Sequence, residues 1–240
     1  MNSFYTSVAG SVGETCPLTA EDARHACSVL RLRTGDALYC VDPEGRRFAA
    51  EIAEISAEGC AVRLMQLLPD NEAPVSITLY QGLPKADKLE LVIQKSVELG
   101  AVRIVPTVTA RSIARIDPRD SEKKTARWHK IAAEAAGQSG RGIIPTVEPP
   151  ITLRAALPRL ARENVLLCYE GGGAPLGDLV SPADESVSLL IGPEGGFAPA
   201  EVEAVAAGGG RLATLGTRIL RCETAPLAAL AILQEAARKK

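Results

Sequence analysis

The sequence predicts an α/β protein: a parallel sheet covered by helices on both faces, preceded by a small β-rich unit. Three observations carry this. Short strand-like runs parted by turn residues fill the chain up to about position 70, the spacing of a small barrel. A polar stretch bracketed by prolines, Pro69-Asp70-Asn71-Glu72-Ala73-Pro74, reads as a linker. Beyond it, apolar runs of strand length alternate with longer amphipathic runs, the pattern of a parallel sheet. Domains are therefore expected at 1–70 and 74–240.

Each element has its own signal. Thr19 followed by Asp22 reads as a helix cap with an acidic first turn. A strand is expected at 37–41. Asp42-Pro43-Glu44-Gly45 follows as a turn, with proline setting φ at the second position and glycine supplying the permissive one. Strands at 47–55 and 60–68 are parted by Ala57-Glu58-Gly59. In the second domain 75–81 is a strand. Residues 85–99 form a helix with Leu89, Val92, Ile93 and Val97 on one face, stopped at Gly100. A strand at 102–108 and a helix at 121–138, bearing the single Trp128, come next. Strands follow at 165–169, 186–191 and 211–215. The helix at 199–207 opens on Pro199 and ends at Gly208-Gly209-Gly210. An Ala/Leu helix at 224–239 ends in basic residues, as the helix dipole favours.

At 240 residues the chain can bury ample core, but aromatics make up only 3%, so Ala, Val, Leu and Ile must fill it. No run approaches the roughly 18 apolar residues of a membrane span, and the first residues lack the pattern of a signal peptide. Six scattered cysteines without a CxxC pair point to a reduced, cytoplasmic protein. The net charge of −2 hides an uneven distribution. Between Lys85 and Arg141 there are twelve Lys and Arg against seven Asp and Glu; the remainder has fifteen against twenty-two. A basic middle in an acidic chain suits a local phosphate-binding face, and equally a pair of solvated helices.

The last fifty-odd residues hold the most specific pattern. Leu189-Leu190-Ile191-Gly192-Pro193-Glu194-Gly195-Gly196-Phe197 and Leu215-Gly216-Thr217-Arg218-Ile219-Leu220-Arg221-Cys222-Glu223-Thr224-Ala225 each carry a strand into a glycine-bearing turn and a helix. In an open α/β sheet ligands sit beyond the carboxyl ends of the strands, and glycine lets them approach the backbone. Either turn alone could be a mere connection; together they can line one pocket. The polar side chains there are few (Glu194, Arg221, Glu223 and Thr224), which suits a polar organic cofactor better than a metal. No P-loop or dinucleotide fingerprint is present. His25-x-Cys27 lacks metal spacing, and His129 sits in a basic helix.

These residues resemble the RsmE family, the 16S ribosomal RNA uracil-N3 methyltransferases of the SPOUT superfamily. The match runs from Phe4-Tyr5, His25, Val29-Leu30-Arg31 and Gly35-Asp36 through Lys85 to Lys88, Gln94-Lys95-Ser96 and Glu98-Leu99-Gly100. Arg111-Ser112, Arg127-Trp128 and the block from Glu134 to Arg141 continue it, and the two glycine-bearing segments complete it. The resemblance implies a PUA-like RNA-binding barrel followed by a trefoil-knotted domain that binds S-adenosylmethionine and forms a homodimer. The expected reaction is methylation of a specific uridine in the decoding region of the 16S rRNA of the 30S subunit. One departure is the N-terminus, where Met1-Asn2-Ser3 lacks the arginine that usually precedes the Phe4-Tyr5 position.

The resemblance and the chemistry of methylation at N3 together suggest roles, with Glu194 and Glu223 open also to a reading as ion pair or helix cap. Cofactor contacts are expected from Leu190, Ile191, Gly192, Glu194, Gly195 and Gly196, from Leu215, Gly216, Ile219 and Leu220, and from Thr224. Tyr169 and Glu170 close a third side; Ile191, Ile219 and Leu220 offer apolar walls. Arg221 is expected to stabilise charge on the ring, with Glu223 or Glu194 as proton acceptor. Cys222 is expected to be packing, because N3 needs no covalent activation of the ring. RNA contacts are expected from Arg24, His25, Arg31, Lys85, Lys88, Lys95, Arg111, Arg127 and Arg141. No metal is expected. Two other readings stay open: another SPOUT enzyme acting on a ribose 2′-oxygen or a tRNA base, and an RNA-binding module without catalysis.

Overall fold

The computed structural model describes residues 3–57, 59–114 and 117–238. Met1 and Asn2, Glu58 of the expected 57–59 turn and Lys239 at the end of the expected last helix lie outside them. The chain divides into two compact units, Met1–Glu72 with Glu134–Ile144, and Ala73–Ala133 with Pro145–Lys240.

In the first unit, β1 (Ser3–Tyr5), β2 (Thr15–Pro17) and the short helix α1 (Ala20–Arg24) precede a π-helical turn over His25–Val29. Strands β3 (Ala37–Val41), β4 (Arg47–Ser56) and β5 (Gly59–Leu67) follow. The sheet order is β1-β3-β4-β5-β2. A bridge between Thr6 and Leu18 joins the continuations of the two edge strands, which closes the sheet and removes its open edges. Alternate residues point inward: Phe48, Ala50 and Ile52 on β4, Cys60, Val62 and Leu64 on β5. Fully burying an aliphatic or aromatic side chain of this size contributes roughly 2 kcal/mol. Thr19 caps α1 as expected, accepting from the Asp22 amide at 3.3 Å. The Asp22 carboxylate in turn accepts from the Tyr5 amide at 2.8 Å, tying the helix to β1.

The second unit holds β6 (Ser76–Gly82), α2 (Lys88–Glu98), β7 (Ala101–Val108) and α3 (Pro118–Ser139), whose last residues cluster with the first unit. Then come β8 (Thr146–Val147), β9 (Ile151–Thr152), α4 (Leu153–Leu160), β10 (Val165–Cys168) and β11 (Ala174–Pro175). A 3₁₀ turn, β12 (Ser186–Ile191), α5 (Pro199–Ala207), β13 (Arg211–Thr214) and α6 (Ala225–Arg238) complete it. The sheet order is β11-β13-β10-β12-β6-β7-β8, with β9 also on β7, and every pairing is parallel. Strands covered on both faces read as continuous apolar runs, and Val187 and Leu189 to Ile191 are all buried. Leu153, Ala156 and Leu160 of α4 share a core with Val202 and Val205 of α5, Tyr80, Leu167 and Leu190. Helices α2 and α6 pack on one another, burying Leu89, Val92, Ile93 and Val97 from one and Ala229, Leu230 and Leu233 from the other.

Where the elements differ from expectation, the causes are local. Helix α2 starts at Lys88 rather than 85, because Ala86 stands at φ 54, left-handed backbone that a helix cannot contain. Helix α3 starts at Pro118 rather than 121, using proline where a helix opens. Helix α4 contains Pro158, a breaker signal that conceals it from pattern reading. Strands β1, β2, β8, β9 and β11 are two or three residues long, too short to carry periodicity.

Candidate functional site

Parallel pairing brings the turns that follow β6, β10, β12 and β13 to one end of the sheet. From β6 the order runs outward to β7 on one side and to β12, β10 and β13 on the other. The crevice between β6 and β12 is therefore the switch point at which α/β sheets bind ligands. Beside it, beyond the carboxyl ends of β12, β10 and β13, the structure has a cavity of about 480 Å³, the size of a small-molecule site.

Three turns wall it. Ile191 to Phe197 form the first, Thr214 to Glu223 the second, and Cys168 to Glu170 the third; Lys88 and Ala225 complete the lining. Much of the wall is backbone. Gly82, at the end of β6, has no room for a side chain because the Pro193 backbone passes over it. Gly196 stands at φ +64, and a Cβ there would meet the Glu170 carboxylate at 2.6 Å. Gly216, at φ +107, has open space where a Cβ would point. Gly195 faces outward: a Cβ on it would lie 3.1 Å from Arg111 Cβ. Arg111 also donates to the Gly195 carbonyl at 3.0 Å. The Ala110 amide donates to Glu201 of α5 at 2.8 Å, so the 109–112 turn braces the glycine turn from behind.

The charge is concentrated on one shared cation. Lys88 Nζ lies 3.3 Å from Glu194 Oε1 and 3.2 Å from Glu223 Oε2. The Lys85 amide also donates to Glu194, at 3.1 Å, and the Cys222 thiol donates to Glu223 at 3.1 Å. Burial works to raise the Glu194 pKa, but the backbone amides of Glu194 and Lys85 and the Lys88 ammonium outweigh it and hold the carboxyl below its usual range. Glu223 is likewise lowered, first by the Cys222 thiol, then by its own amide and Lys88. Lys88 is raised, chiefly by its hydrogen bond to Glu223. Burial, and then the carboxylate of Glu223, push the Cys222 thiol up to about 12, so at neutral pH it is protonated and a poor nucleophile. A carboxylate whose ionised form is stabilised this way is a weakened proton acceptor.

The structure gathers most of the expected cofactor residues here: Tyr169, Glu170, Ile191, Gly192, Glu194, Gly195, Gly196, Leu215, Gly216, Ile219 and Leu220 all line the cavity. Leu190 does not; it is fully buried in the core one residue before the turn. Thr224 also lies outside the lining; it is exposed, and its amide donates to the Arg221 carbonyl at 2.9 Å. Ile219 is 87% exposed. Arg221 lines the cavity and makes no ion pair among the described residues. Cys168, Pro193, Phe197, Thr217, Arg218 and Cys222 line it too; all but Cys168 lie within the two glycine-bearing segments, and Cys168 directly precedes Tyr169.

The expected RNA residues are spread over both units. Arg24 and Arg31 are exposed and His25 half-buried, its ring 5.8 Å from that of Phe4. Lys85 and Arg111 are exposed beside the site. Lys95 pairs with Glu98 at 2.7 Å and Arg127 with Glu90 at 2.7 Å. Two more are held by carboxylates. Lys88 is spent on the cavity's carboxylates. Arg141 is a brace: its side chain is 5% exposed and its guanidinium pairs with Glu72 at 2.5 Å, while the Glu72 carboxylate also accepts from the Gly142 amide at 3.0 Å.

Among the described residues no group of His, Cys, Asp and Glu is placed to hold a metal, and no helix is long and apolar enough to cross a membrane. A glycine-lined, partly apolar cavity with Arg221, Arg218 and Glu170 on its wall fits a polar organic cofactor with an apolar ring.

Comparison with known proteins gives these features a class. A family described as RNA methyltransferase domain matches residues 71–234, and one described as RNA methyltransferase PUA domain matches residues 18–65. Fold and site together define an RNA methyltransferase. Ribosomal RNA small subunit methyltransferase E of Bacillus subtilis is 37% identical over 91% of this chain and 89% of its own length. The protein of that name from Synechocystis is 34% identical, over 90% and 72%. A crystal structure of ribosomal RNA small subunit methyltransferase E from Neisseria gonorrhoeae bound to S-adenosyl methionine superposes with a TM-score of 0.86. Its identity is 35%, covering 98% of this chain and 97% of that one. The chain belongs to the ribosomal RNA small subunit methyltransferase E family.

Proposed function

We propose that this chain transfers a methyl group from S-adenosylmethionine to N3 of a uridine in the decoding region of 16S rRNA. Family membership supports the donor and the substrate class. One observation carries the reading onto this chain's own residues: three turns from adjacent parallel strands surround a cavity of about 480 Å³ with glycine backbone.

Backbone at 191–196 and 215–220 would hold the donor, with Tyr169 and Glu170 on the third side, Ile191 and Leu220 against its ring and Ile219 covering it from outside. When bound, the donor supplies an electrophilic methyl on sulfonium. The chain's part is to place the uracil in line with it and to tolerate the charge left when the N3 proton departs. Arg221 is the group for that charge. Glu194 and Glu223 are the candidate proton acceptors, and each reaches that role only by giving up its hydrogen bond with Lys88.

RNA would be held by Arg24, His25, Arg31, Lys85, Arg111 and Arg127, with a PUA-like barrel at 1–70 and the methyltransferase domain at 74–240. A trefoil-knotted second domain is supported by the family resemblance carried by the two glycine-bearing segments. A homodimer is supported by the exposed apolar Leu91, Ile219 and Ile232. The setting is the cytoplasm.

The test is methyl transfer from labelled donor to small subunits lacking the modification, with the product nucleotide mapped by mass spectrometry. N3-methyluridine in 16S rRNA is expected. A ribose 2′-O-methyl product, or label only in tRNA, overturns the base assignment. Donor binding without transfer to any RNA overturns catalysis in favour of a binding module.

A further inference from the structure

We propose that Lys88 is a positioning residue for methyl transfer, clamping the turn after β12 to the segment before α6 across the switch point of the sheet. The inference rests on the methyltransferase reading above and deepens it.

The start of α2 aims the side chain. Ala86 at φ 54 ends the approach from β6, and the Lys85 amide is pinned to Glu194. Lys88 is therefore the first helical residue, with its ammonium reaching back over the strand ends. A cation is disfavoured at a helix N-terminus, where the dipole is positive. Lys88 is compensated there by two carboxylates that come from chain segments 106 and 135 residues away. Glu194 lies in the glycine turn and Glu223 two residues beyond Arg221, so one ammonium sets the spacing between the donor-holding turn and Arg221. The Cys222 thiol holds Glu223 from the side. The remaining charged groups on the cavity wall are Glu170, Arg218 and Arg221. With its side chain one-third exposed, the clamp adds little to global stability; its effect is on geometry.

The experiment compares Lys88→Met and Lys88→Arg with the unaltered protein in methylation of small subunits lacking the mark, donor binding by calorimetry, thermal melting and pH–rate profiles. For Lys88→Met, kcat is expected to fall by about 30-fold while donor affinity changes by less than about threefold. Its melting temperature should stay within about 3 °C. The acid limb of its kcat profile should move to higher pH, because Glu194 and Glu223 lose the cation that favours their ionised forms. Lys88→Arg should recover most of kcat. Unchanged kcat in Lys88→Met overturns the inference. So does a rise in RNA KM alone, which makes Lys88 a phosphate contact, and so does a melting loss that accounts for the activity loss. Failure of the unaltered protein to methylate small subunits overturns the functional reading first, and the inference with it.

Discussion

Arg111 donates to the Gly195 carbonyl at 3.0 Å, and its own Cβ stands 3.1 Å from where a side chain at 195 would begin. The glycine turn is thus packed from behind by an arginine, so the protein's own wall limits the size of a side chain at 195. Gly195→Val should push the 109–112 turn away, unseat the turn after β12 and weaken donor binding by at least about tenfold. Gly195→Ala should cost much less. Calorimetry with S-adenosylmethionine decides, and equal affinity for Gly195→Val and the unaltered protein would remove this role.

Arg141 and Glu72 form a largely buried ion pair, with side chains 5% and 18% exposed. Glu72 also accepts from the Gly142 and Ile143 amides, so removing it takes a buried acceptor away from one guanidinium and two backbone donors. Glu72→Ala should lower stability by about 3 kcal/mol in urea denaturation. Arg127→Ala, which breaks the exposed pair with Glu90, should change it by less than about 1 kcal/mol.

Arg221 is one of two arginines on the cavity wall and the one proposed to stabilise charge developing on the substrate ring. Arg221→Ala should reduce kcat about a hundredfold, with donor affinity nearly unchanged. A mutant that loses donor binding instead makes Arg221 a cofactor ligand.

Cys222 lines the cavity next to Glu223, yet its thiol is pushed up to about 12. Cys222→Ala should keep activity within about threefold. Loss of turnover with donor binding intact would argue for covalent attack on the ring and against chemistry at N3.

Glu194 and Glu223 both have folded-state pKa values below the usual carboxylate range. Their contribution to stability is therefore complete above the unfolded-state value and is lost as pH falls through the lowered folded-state value. Chemical denaturation of Glu223→Gln should show a shallower loss of stability on acidification than the unaltered protein. Parallel curves would mean that the pair contributes nothing to folding.

Local pattern was enough for the strands from β3 onward that exceed three residues, for the amphipathic face of α2 and for the Thr19 cap, since each depends on neighbours within a few positions. It also marked the two glycine-bearing turns as one pocket, because parallel strands must release their turns at the same end. Local pattern did not reveal that Lys88 belongs to that pocket, that Arg141 is buried, or that Gly195 faces Arg111. Those facts join residues 106, 69 and 84 positions apart. A lysine or arginine has the same appearance in sequence whether it meets phosphate, solvent or a carboxylate from a distant turn. What selects among these is which loops the parallel sheet brings together, and that is settled only when the chain has folded.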